Sequence, residues 1–159
     1  MQSFDTKIDQ NADPKVQIQQ AVAAAKEQHK AISEHAANII GNRNQLQMKM
    51  ERLIKSQEDL QNKARTALQA AQKAEAAGDA EKAQQFNNAA EVIATQLVSV
   101  EQELEQTKQA YASADHAAKE AQQKQQQSEA HLKEQLSQVS QLESQLNQAR
   151  MQEQTAKTM

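Results

Sequence analysis

Four histidines, His29, His35, His116 and His131, are the residues best suited to proton transfer or metal binding in a chain without cysteine. His29 and His35 stand six apart, so on a helix they do not share a face. The His-Glu-x-x-His spacing of a zinc-binding helix is absent. The four are read as solvated or seam-edge imidazoles, with His29 opposite the small polar Ser128, and no metal is expected. The chain carries no Gly-rich phosphate loop, no catalytic Ser/His/Asp order and no paired carboxylates placed in a cleft. Catalytic, cofactor-binding and metal-ligating residues are therefore each expected to be none, with no small-molecule substrate and no enzymatic activity. One charge stands out because it interrupts an apolar pattern: Arg43, with Asp115 beside its expected partner. It reads either as a polar layer that specifies register or as an ion pair to a neighbouring copy of the chain.

The elements that carry these residues follow from composition. Of 159 residues only 2 are Gly and 1 is Pro, aromatics make up 2%, and hydrophobic residues reach 38%. A compact core needs bulky branched and aromatic side chains to fill it. A seam between two helices needs only a narrow apolar stripe, and Ala, Gln, Glu, Lys and Leu all favour the helix. The net charge of −3 leaves no basic footprint for nucleic acid, and none is expected as a partner. No apolar run approaches the ~20 residues a membrane span requires, and Met1 to Ala12 lacks the apolar centre of a signal peptide.

Asp13-Pro14 is a helix start: the Asp carboxylate accepts from orphan N–H groups, and Pro is tolerated at the first helical position. A seven-residue repeat then runs through Ile18, Ala25, Ile32, Ile39, Leu46, Leu53, Leu60, Ala67 and Ala74 at d positions. Gly78-Asp79 interrupts it, Gly as helix stop and Asp as the next N-cap. A second repeat places Phe86, Ile93 and Val100 at d, with Leu97, Leu104, Tyr111, Leu132 and Val139 at a. In an antiparallel pair an a residue faces a d residue. Leu53 with Leu104, Leu46 with Tyr111, Leu60 with Leu97 and Ile18 with Val139 share one mirror point, between Gly78 and Asp79. Two registers read independently converge on the punctuation.

The fold class is thus all-α, a long antiparallel two-helix coiled-coil hairpin spanning 13–159, with arms 14–77 and 79–157 and a turn at Gly78 and Asp79. Charge agrees: the first arm with its lead-in carries 11 basic and 9 acidic residues, the remainder 7 and 12. Ile40, Ile54 and Leu68 recur at e positions, two heptads apart each time. A two-stranded seam does not need them, and together with Arg43 they form the candidate self-assembly surface.

Residues Ala12-Asp13-Pro14-Lys15 leading into Gln17-Ile18-Gln19-Gln20-Ala21 have a counterpart, as do Ala36-Ala37-Asn38-Ile39-Ile40-Gly41-Asn42 and the turn region Lys63-Ala64, Ala67-Leu68, Gly78-Asp79. Nearly all of the chain from Ile8 onward resembles the hairpin of the phage shock protein A and vesicle-inducing protein in plastids family. The resemblance implies an ESCRT-III-like bacterial envelope-stress protein, cytoplasmic and peripheral on the inner face of the cell membrane. It implies assembly with copies of itself and contact with membrane lipid. An alternative is a coiled-coil regulator that restrains a transcription factor or other protein partner without direct lipid binding. In the family an amphipathic helix precedes the Asp-Pro. Residues 1–12 are expected to be its flexible remnant, with Phe4 and Ile8, four apart beside Lys7, as candidate lipid contacts. Further helices follow the family's hairpin, so this chain is expected to be a hairpin fragment in which lipid binding is weak.

Overall fold

The structure, a computed structural model, describes residues 13–158. Phe4, Lys7 and Ile8, and with them the expected lipid contact, lie outside the described residues. Two helices make up the fold: α1 over Pro14–Ala76 and α2 over Ala80–Thr158. They form an antiparallel, all-α hairpin.

The helix ends follow from local chemistry. Asp13 Oδ1 accepts from the Lys15 amide at 3.0 Å, and its carbonyl accepts from Gln17 at 3.1 Å. Backbone and side chain of one residue thus start α1. At the other end Gly78 adopts φ +77°, where an L side chain is strained. The Asp79 amide reaches back to the Ala74 carbonyl at 2.9 Å and the Gly78 amide to Glu75 at 3.0 Å. This paired pattern is the Schellman stop. Asp79 Oδ1 then accepts from the Lys82 amide at 3.1 Å and so caps α2. Ala77 belongs to the turn, so α1 ends one residue before the expected limit of the first arm.

Two compact units are distinguished, each with both helices. The unit over 39–118 contains the turn. Near the turn its seam is made of Ala71, Ala74, Ala83 and Ala90, all buried, followed by half-buried Leu60, Ile93, Leu97 and Leu53 and by buried Leu104. Thr107 is buried at a d position, its hydroxyl donating to the Glu103 carbonyl at 2.7 Å. The unit made of 13–38 with 119–158 buries Ile18, Ala25, Ala36, Ala121 and Val139. His29 Nδ1 lies 2.9 Å from Ser128 Oγ, and Gln125 Nε2 donates to Ser33 Oγ at 3.5 Å.

Every a and d position from Ile18 to Ala74 is buried or half-buried, and so is every one from Ala83 to Leu146 except Phe86. Most of the buried seam residues are alanines, and most of the larger ones keep an edge in water, Ile18, Leu104 and Val139 being covered. One partner helix covers a side chain from one side only, which hides a methyl group more readily than a leucine. Phe86 is the correction to the expected core, being 38% exposed. Its register partner is Ala71, amid alanines that draw the helices close, and a phenyl ring does not fit between them. It lies at the edge of the seam.

Candidate functional site

The chemistry-bearing residues are dispersed along the helices. His35 and His131 line a groove of about 560 Å³ in the unit of 13–38 with 119–158, beside Ile32, Ala121, Lys124 and Ser128. His131 Nε2 is buried there without a hydrogen-bond partner, whereas His29 is held by Ser128 as the register requires. His116 stands exposed in the other unit. Among the described residues no three His, Asp or Glu side chains come together as a metal site would need.

Arg43 has an answer within the chain. Its Nη1 lies 3.3 Å from Asp115 Oδ1, both groups about a quarter exposed, and Nε and Nη2 donate to Asn44 Oδ1 at 3.3 and 3.2 Å. The ion pair crosses from α1 to α2 at the register position that the heptads assign, which supports the registry reading. The inter-chain reading would have to compete with Asp115 for the same guanidinium. Lys49 with Glu103 at 3.6 Å and Gln57 with Glu101 at 3.4 Å continue the polar border of this seam. Glu129 pairs with Lys133 one turn away on α2, at 3.7 Å.

The apolar stripe at e positions is present and uneven. Ile54 and Leu68 are exposed, while Ile40 is half-buried. The candidate core residues Ile18, Leu104 and Val139 are buried, and Ile32, Ile39, Leu46, Leu53, Leu60, Ile93, Leu97, Tyr111 and Leu132 are half-buried. Sequence reasoning passed over five further exposed apolar residues, Val16, Met48, Val92, Val98 and Met151. They occupy f, c and b positions, which face away from the seam. Reading those outward positions for apolar residues, rather than a, d and e alone, would have found them. No described helix is long and apolar enough to cross a membrane.

What the arrangement offers is surface: a two-helix scaffold with apolar residues left outside its own seam. The PspA/IM30 family description matches residues 1–159. The PspA protein of Mycobacterium tuberculosis, from two strains, is 44% identical over 159 residues, covering 100% of this chain and 59% of the relative. The chain thus spans less than two thirds of the length of those curated relatives. No solved structure matches it.

Proposed function

Because the chain belongs to the PspA/IM30 family, we propose that it is a non-enzymatic envelope-stress and membrane-maintenance protein of bacteria. It assembles with copies of itself through the helical hairpin at the inner face of the cell membrane. The observation that carries this reading is the exposed apolar stripe of Ile54 and Leu68, with half-buried Ile40 in line, on a scaffold whose own seam is complete without them. Large apolar side chains in water are a standing drive to association.

The test replaces Ile40, Ile54 and Leu68 together by Gln. Helicity by circular dichroism is expected to stay intact, because Gln is a good helix former and none of the three occupies an a or d position. Self-association in sedimentation velocity, and co-sedimentation of the assembled protein with anionic vesicles, are expected to fall. Unchanged sedimentation of the triple variant would return these residues to ordinary surface. Protein-partner capture by a chain that neither assembles nor meets lipid would favour the regulator reading instead.

A further inference from the structure

The outward faces of the two helices differ in charge. Within the unit of 39–118, α1 presents Lys49, Arg52 and Lys55 around exposed Met48, and these four residues line one open hollow, which also takes in the acid Glu51. On α2 no Lys or Arg occurs between Lys82 and Lys108, while Glu91, Glu101, Glu103 and Glu105 do. Glu103 and Glu101 are engaged across the seam by Lys49 and Gln57. Arg52 and Lys55 on α1, and Glu91 and Glu105 on α2, are exposed and make no ion pair among the described residues.

Spacing makes the two faces fit. Met48 and Lys55 are seven residues apart, about 10.5 Å along one helical row. Glu91, Val98 and Glu105 are likewise seven apart in one row, an acid on each side of an apolar residue that is more than half exposed. Setting Met48 against Val98 therefore brings Lys55 to a carboxylate whichever way the second helix runs, with Arg52 between. Within one chain the two faces point away from each other, so they can meet only between copies.

We propose that the outward face of α1 around Met48, Arg52 and Lys55 docks on the outward face of α2 around Glu91, Val98 and Glu105 of a second copy of this chain. This deepens the assembly reading above and rests on it. The contact is heterologous: each copy leaves one face of each kind unused, and addition continues unless a rotation closes the ring. Charge supplies partner choice and register, and the Met48–Val98 contact supplies apolar burial. An anionic membrane also suits a basic face, but it has no use for the matching acidic row on α2.

Charge reversal tests this in the full chain. Arg52→Glu with Lys55→Glu, or Glu91→Lys with Glu105→Lys, is expected to weaken self-association at low salt about tenfold, the Lys55–carboxylate pair and the Arg52 beside it being turned to repulsion. An equimolar mixture of the two reversed proteins is expected to recover it, because reversed faces again meet opposite charge. Failure of either reversal to weaken association, or of the mixture to recover, overturns the proposal. So does an α1 reversal that lowers binding to phosphatidylglycerol vesicles and leaves self-association unchanged. Since the chain lacks cysteine, mixing Met48→Cys with Val98→Cys protein is expected to give an intermolecular disulfide. If reversal has no effect while the Ile40, Ile54 and Leu68 triple variant weakens assembly, this face is wrong and the assembly reading stands. If the unmodified chain does not associate at all, both fall.

Discussion

Leu104 is 4% exposed and Phe86 is 38% exposed, although both are large apolar residues on the seam side of α2. The difference follows what the register sets opposite them: Leu53 across from Leu104, and Ala71 across from Phe86. Truncation should follow burial rather than size. Leu104→Ala is expected to cost about 2–5 kcal/mol in a urea melt. Phe86→Ala is expected to cost well under the ~3–5 kcal/mol of a fully buried phenylalanine. Equal losses would mean that Phe86 is packed as the periodicity alone suggests. Arg43 belongs to the same scale. Its guanidinium meets Asp115 at the seam border, partly in solvent, so the pair is expected to contribute little net energy.

The two glycines separate two uses of one residue in the helices. A Cβ at Gly78 would meet nothing within 4 Å, yet the φ of +77° there demands Gly, because the strain lies in the backbone itself. Gly41 sits inside α1, with helical backbone and nothing within 4 Å of where a Cβ would stand. Gly78→Ala should destabilise by about 1–2 kcal/mol, the cost of a left-handed L residue. Gly41→Ala should stabilise by up to about 1 kcal/mol through helix propensity. Thermal denaturation of the two variants checks both signs, and a destabilising Gly41→Ala would show that a close contact occupies that face.

Taken as a whole the chain carries a net charge of −3, so it offers no general attraction to anionic lipid. Burying Phe4 and Ile8 together would yield at most ~3–6 kcal/mol, before the entropy of ordering the segment. The chain is expected to bind anionic vesicles weakly, with affinity falling as salt rises. Adding an amphipathic helix ahead of Phe4 is expected to give tight binding while the hairpin's circular dichroism stays the same. Tight, salt-insensitive binding by the unmodified chain would place the lipid site on the hairpin.

Helix type, turn position and register were legible in the amino-acid order, because each rests on short-range rules. Seven-residue spacing marks the buried side of a helix, a glycine followed by a capping Asp marks the reversal, and the mirror point then assigns His29 to Ser128 and Arg43 to the layer of Asp115. Tertiary structure alone decided how deeply each seam residue is covered. Burial depends on the size of the residue opposite and on how closely the helices approach. That is why most seam alanines are buried, most seam leucines keep an edge in water while Leu104 is covered, and Phe86 is turned out. The outward faces also needed the structure: periodicity directs attention to the seam, and only the folded hairpin shows Met48, Val92 and Val98 exposed beside charges that make no ion pair among the described residues.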